Sequence, residues 1–266
     1  MDALRRTTPV GAMQSDRFLC VESFCRVALM DLLIDASASA IRLIVSGDGD
    51  LIEILLLSFY VNLTAVAIAM ALAMPFGALL VFVRFPGRRL VIVLLNAAMG
   101  FPPVVAGLIV YIALSRSGPL GVLGWLYTPA AMILVQVFLI FPIIAALTRR
   151  DITELWENYQ EQLLSFGVGP VRAVQTMLWE ARFSLATSVL AGLGRASAEV
   201  GGVMIVGGNI NHHTRIMTTA IALETSKGQL ALALALGMIL LVVSLGVNAL
   251  VVLVEERRRR IWVSNS

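Results

Sequence analysis

The stretch Arg195-Ala-Ser-Ala-Glu199-Val-Gly201-Gly202 sets two opposite charges four residues apart among small side chains. On a helix the two would share a face and could pair. In water such a pair is an ordinary surface feature. In a bilayer an arginine at mid-helix costs about 2.5–3.5 kcal/mol on insertion scales and needs a partner in a bundle interior or a wet cavity. Glu199 is the partner within reach. Gly192, Gly194, Ala196, Ala198, Gly201 and Gly202 supply overlapping small-xxx-small spacings that let helices approach closely. Two readings stay open at this point. The pair either makes Arg195 tolerable and nothing more, or it braces the gate of a pathway. A neutralised arginine still offers hydrogen-bond donors while holding an anion weakly enough to release it, as conduction requires.

Other chemistry is sparse. No Gly-rich phosphate loop ends in Lys-Ser/Thr, and the single lysine is Lys227. No nucleophile, metal or acid–base cluster stands out, so no catalytic residues and no metal site are expected. His212 and His213 are adjacent, share no helical face, and have no acid or cysteine near them in sequence. They read as loop residues. Cys20 and Cys25 match no zinc or redox spacing.

The elements that would position Arg195 and Glu199 follow from composition. The 266 residues are 59% hydrophobic and 14% charged, with a mean hydropathy of +0.89; a soluble domain is nearer half apolar and a quarter charged. Ile54–Val83, Leu90–Leu114, Gly121–Leu147 and Gln229–Val254 contain no charged residue, and Phe183–Val206 is interrupted only by Arg195 and Glu199. Each exceeds the roughly 20 residues that span a bilayer as a helix. The expectation is an all-α membrane protein with five transmembrane helices, over about 54–83, 90–114, 122–147, 183–206 and 229–254.

The basic residues orient these spans. Arg84, Arg88 and Arg89 follow the first span, Arg149, Arg150, Arg172 and Arg182 lie between the third and fourth, and Arg257–Arg260 follow the fifth. The other inter-span loops hold Arg116, Arg215 and Lys227. By the positive-inside rule the loops at 84–89 and 148–182 and the basic tail 255–266 are cytoplasmic and the N-terminus is outside. Tyr111, Trp125 and Tyr127 then fall near outer span ends, and Trp179 and Trp262 near inner ends. A net charge of +3 and a pI near 9.2 thus reflect membrane topology, with no nucleic-acid partner expected.

Residues 1–29 differ in character, which points to Met30 as the start of translation, with an N-terminal extension over 1–29 as the rival reading. Within 30–50, Leu33, Ile34, Ala38, Ile41, Ile44 and Val45 line one helix face and Asp31, Asp35, Ser39 and Arg42 the other, as in a helix lying at the lipid interface. Proline interrupts three spans, at Pro75, at Gly100-Phe-Pro-Pro103 and at Pro142. Each is read either as a packing kink or as irregular backbone beside a cavity. Gly100, Pro102 and Pro103, near mid-span, are the strongest candidates for the latter. In the long cytoplasmic loop, Asp151 can cap a helix with an apolar stripe of Ile152, Leu155, Trp156, Tyr159, Leu163 and Phe166. Gly167 and Pro170 end it. Its polar face carries Asp151, Glu154, Glu157 and Glu161, which suits a protein partner better than anionic lipid.

That loop resembles the coupling segment of ATP-binding-cassette importer permeases, whose signature is Glu-Ala-Ala, three residues, then Gly. Glu161 and Gly167 match, while Gln162 and Leu163 stand in place of the alanines. The stretches Val83-Arg-Phe-Pro-Gly-Arg-Arg-Leu90, Met99-Gly-Phe-Pro-Pro-Val-Val105, Leu114-Ser-Arg-Ser-Gly-Pro-Leu120, Arg195–Ile210 and Thr218–Gly237 resemble the tungstate and molybdate branch, the last most closely its tungstate-type members. The resemblance runs from Met30 to about Glu256. It implies a type I importer permease fold over 51–254 in the cytoplasmic membrane, working as a homodimer in lipid. Two cytoplasmic ATPase subunits, which bind the ATP and Mg, would dock at Glu161, Leu163, Phe166 and Gly167. An extracytoplasmic binding protein would deliver an oxyanion, tungstate first, with molybdate, sulfate or another as alternatives. An ion-coupled secondary transporter is the remote alternative; no internal repeat and no intramembrane acid besides Glu199 supports it.

Overall fold

The computed structural model describes residues 49–83, 85–165, 167 and 169–264, with scattered positions between 30 and 45. In chain order the elements are α1 (Gly49–Phe82), α2 (Arg88–Ala98), α3 (Pro103–Leu114), a 3-10 turn (Gly121–Leu123), α4 (Pro129–Ser165), α5 (Pro170–Glu180), α6 (Arg182–Ser197), α7 (Gly201–Gly207), α8 (Met217–Ser226) and α9 (Leu230–Ser264). No strand occurs among the described residues. Helices α1, α4 and α9 are each long and apolar enough to cross a membrane, while α2 with α3 and α6 with α7 qualify only as bent pairs, at 109° and 60°. The second and fourth expected spans are therefore broken helices, and the crossings number three, or five if each pair crosses once.

Of the three proline sites, only Gly100–Pro103 breaks its helix. Pro75 lies within α1 and Pro142 within α4 without ending either. A lone proline forfeits one backbone donor. Two in succession forfeit two and also push the residue before each toward extended backbone. Pro102 sits at φ −64°, ψ 125°, and Pro103 opens α3.

The third expected span differs at both ends. Residues 121–123 form the 3-10 turn, and α4 starts at Pro129 and runs unbroken to Ser165. Asp151 therefore does not cap a separate helix. It lies inside α4, where its Oδ2 accepts a hydrogen bond from Ser184 Oγ at 2.9 Å. Nothing between Leu147 and Ile152 breaks a helix, so the charge-free segment and the charged segment after it fuse into one rod.

This rod is the centre of the fold, with α1, α2, α3, α5, α6 and α7 all packed on it. The α1 contact follows from spacing: Val61, Ala65, Ala69, Ala73 and Gly77 recur every fourth residue and are buried, a ridge of small residues that lets the two backbones close up. At Gly77 a Cβ would strike the Ala145 carbonyl oxygen. On the other flank, a Cβ on Gly192 of α6 would lie 2.8 Å from Ile140 Cγ2. Arg88 finishes α1, its Nε donating to the Leu80 carbonyl at 2.6 Å, a cation on the free carbonyls of a helix C-terminus. At positions 30–45, the described residues are helical, and Ile34, Ile41 and Val45 are exposed and do not pack on the bundle. Residues 1–29 and the side chains of the basic tail 255–266 lie outside what is described.

Candidate functional site

Helix α6 ends at Ser197, so Glu199 does not share a helix with Arg195 as the i,i+4 reading required. The pair forms across the helix end instead: Arg195 Nη1 lies 3.4 Å from Glu199 Oε2, with side chains 29% and 2% exposed. Glu199 is held through each of its polar groups. Its N–H donates to the Ala196 carbonyl at 3.2 Å, its Oε1 accepts the Gly202 N–H at 2.8 Å, and its carbonyl accepts Thr218 Oγ1 at 2.9 Å. The carboxylate thus satisfies a donor at the start of α7 that no preceding helical turn reaches.

The two breaks meet. A Cβ on Gly202 would lie 2.9 Å from the Pro103 carbonyl oxygen, and one on Gly107 would lie 2.7 Å from Gly202 Cα. The fold therefore brings Pro103 of the first break against Gly202 beside Glu199, two regions a hundred residues apart. Gly100 and Pro102 remain exposed.

Residues outside the sequence-derived set complete this region. Gln136 of α4 is wholly buried, and its Nε2 donates to the Ala196 carbonyl at 3.1 Å and to Asn62 Oδ1 at 3.3 Å. Gln136, Asn62 and Thr218 are uncharged and stand out little in an apolar chain; the amide within the charge-free run Gly121–Leu147 is the available signal.

The outward face of α6 is unlike that of other membrane helices. Leu56, Leu63 and Leu72 of α1, Val104, Leu108 and Ile112 of α3, and Leu241, Val242 and Leu245 of α9 are exposed apolar side chains suited to lipid. Helix α6 exposes no large apolar side chain; Ser184, Thr187 and Ala191 face outward, with Arg195 partly exposed one turn beyond.

At the far end of α4, the apolar stripe turns inward. Ile152 is buried, Leu155 and Leu163 pack on the core formed with α5, and Trp156 meets Phe82 edge-on at 4.7 Å. Leu163 is thus half-buried, and the exposed face carries Glu154, Glu157 and Glu161. Gly167 is exposed at φ +65° with open space around its α-carbon, the left-handed cap expected after α4. Phe166 lies outside the described residues.

The opposite end of α1 holds a contact that sequence distance concealed. His212 Nδ1 lies 2.8 Å from Glu53 Oε2, and Asp50 stands close by; the three exposed groups have ligand atoms within 4.8 Å of one another. The Glu53 hydrogen bond and charge raise the His212 pKa above the ordinary histidine value, assisted by Asp50 and opposed by partial desolvation and Arg215. His213 does not join this group among the described contacts.

No family model matches the chain. Among curated proteins it is similar to the tungstate uptake system permease protein TupB of Peptoclostridium acidaminophilum, 38% identical over 227 residues, which are 85% of this chain and 100% of that protein. A probable anion ABC transporter permease protein of Haloferax volcanii is 40% identical over 212 residues, 78% of this chain and 91% of its own length. The TupB protein of Campylobacter jejuni is 36% identical over 207 residues, 78% and 87% of the two chains.

Proposed function

The chain belongs to the ATP-binding-cassette importer permeases of the tungstate uptake type, and from that premise we propose how its residues pass an oxyanion. It is a multi-pass membrane protein and serves as the permease subunit of a tungstate importer, a transport subunit and not an enzyme. Sulfate permeases resemble it more distantly. In this reading two copies form the channel within lipid. Two ATPase subunits, holding ATP and Mg, bind the acidic face of α4 around Glu161 and Gly167. A binding protein delivers the anion at the opposite end, where His212 lies. The docking end and C-terminus are cytoplasmic and the N-terminus is outside.

The gate is the joint between α6 and α7. One observation carries this: Glu199, buried, neutralises Arg195, which stays partly exposed on a helix whose fully exposed side chains are Ser184, Thr187 and Ala191. Lipid is a poor cover for Arg195. Water or the second copy's matching face suits it. A tetrahedral dianion moving along that face would meet guanidinium donors whose charge Glu199 already offsets, so it is guided without being trapped. The Gly107–Gly202 crossing and the Pro103 carbonyl brace the same joint from α3.

The test is uptake into proteoliposomes containing the permease, its ATPase subunits and tungstate-loaded binding protein. ATP-dependent tungstate entry is expected, with molybdate and sulfate competing only through the binding protein. The double variant Arg195→Gln with Glu199→Gln should insert normally and transport poorly. Normal uptake by it would remove the gate, and uptake without ATP would remove the importer reading.

A further inference from the structure

Helix α4 joins two regions that the gate reading treats separately. The acidic docking face around Glu161 and the buried amide of Gln136 belong to one helix without a break. They are separated by roughly 25 residues, about 37 Å along the axis. The helix passes Pro142 intact, with Phe141 packed against Phe76 at 5.4 Å. A displacement at the docking face is therefore a displacement of Gln136.

Gln136 is where that rod holds the joint. The Ala196 carbonyl, in the last turn of α6, can only accept a hydrogen bond, so the amide nitrogen of Gln136 must face it. The same nitrogen donates to Asn62 of α1. On the other side of the joint Glu199 is tied to Thr218 of α8, which is not part of the rod. The α6–α7 joint thus has one hydrogen-bonded tie to the docking helix and one to α8, which is bonded to Ser58 of α1 through the Met217 N–H and makes no described hydrogen bond to α4. Moving α4 against α8 loads the joint between them.

The amide is also half used. Gln136 Oε1 is buried and meets no donor in this arrangement. Buried carbonyl groups almost always find donors.

We propose that Gln136 is the positioning residue that transmits movement of the ATPase-docked helix to the Arg195–Glu199 joint. This rests on the gate reading. Its role is mechanical coupling; it need not touch the anion. The test uses the complete transporter in proteoliposomes and reads tungstate transported per ATP hydrolysed. Gln136→Met keeps length and packing but removes the donor. It should reach the membrane and retain hydrolysis stimulated by loaded binding protein, while the transport-to-hydrolysis ratio falls about ten-fold, within the usual range of coupling energies. Gln136→Glu, held neutral by burial, keeps a donor and should restore most of the ratio. Thr218→Val, which loosens the tie outside the rod, should lower uptake and hydrolysis together. A wild-type ratio in Gln136→Met, or equal uncoupling in Gln136→Met and Gln136→Glu, overturns the proposal. Should Gln136→Met fail to accumulate, Asn62→Leu decides: removing the support of the amide should lower the ratio about three-fold, and an unchanged ratio overturns it. The gate reading fails by a different result, normal uptake in the Arg195→Gln, Glu199→Gln double variant.

Discussion

The two broken helices lie against each other yet are broken for different reasons. Between α2 and α3 the bend is 109° and is written into covalent structure. Pro102 and Pro103 fix two successive φ angles and keep the residue before each out of the helical region, and no side-chain hydrogen bond caps α3 at Pro102. Between α6 and α7 the bend is 60° with no proline at all. There a single residue, Glu199, is held through four polar groups, and Gln136 secures the preceding turn. The first break persists whatever surrounds it. The second exists because other helices hold it, and a joint held by tertiary hydrogen bonds can be rearranged by moving those helices. A fixed break makes a brace and a held one makes a moving part.

Breaking the held joint has the largest expected effect. Glu199→Gln leaves Arg195 without its counter-charge, and Arg195→Gln leaves a buried carboxylate unpaired. Removing one member of a buried pair costs about 3–5 kcal/mol, seen as lost membrane abundance and a lower unfolding midpoint in detergent. The double variant should recover abundance. Near-wild-type abundance in both single variants would mean that the pair is solvated.

The brace comes next. Gly107→Val would drive a side chain into Gly202 at the contact between the two breaks. Overpacking of this kind costs about 1–3 kcal/mol, read as a lower unfolding midpoint. Unchanged stability would show that the breaks do not bear on each other.

A site remote from both calibrates the comparison. Gly167→Val meets open space but a left-handed backbone, so its penalty is backbone strain of about 1–2 kcal/mol. The loss should appear as weaker ATPase co-purification and lower uptake, with the gate region untouched. Normal co-purification and transport would sink the docking assignment.

Pro103→Ala should do less still. Position 103 opens α3, where proline is tolerated because its N–H would be free anyway, and Pro102 preserves the turn. A stability change under about 1 kcal/mol is expected, and a large loss would show that the first break also depends on its surroundings.

The smallest effect belongs to the exposed Glu53–His212 contact, and its sign follows from the raised histidine pKa. A group whose pKa is raised on folding stabilises the fold fully below its unfolded value and loses that contribution as pH rises through the folded value. Wild type should therefore lose a little more unfolding midpoint than His212→Gln between about pH 6 and 8, where histidine titrates. Parallel profiles would show that the contact contributes nothing.

How much was legible in advance divides along the same line as the two breaks. Charge-free runs longer than a bilayer announced a helical membrane protein, because lipid offers backbone groups no partner outside the helix. Gly100-Phe-Pro-Pro103 announced a break, and Gly167 a left-handed cap, because proline and glycine act on their own backbone. The Arg195–Glu199 pairing was also legible, since four residues bring two long side chains together even when, as here, the helix ends between them. The fused α4 was missed: Asp151 resembles a cap, but nothing before it compels the helix to stop.

What tertiary structure alone decided is everything that depends on distant residues meeting. Sequence spacing carries no information about which carbonyl Gln136 will find, that Gly202 crosses Gly107, or that His212 lands on Glu53, 159 residues away. It also could not show that Ile152, Leu155, Trp156 and Leu163 of α4 pack against Phe82 and α5, leaving Tyr159 and the acidic face exposed. Local backbone chemistry is settled by neighbours a few bonds away. A held joint, a crossing and a free face are settled by how the helices pack, and that is decided only when the whole bundle forms.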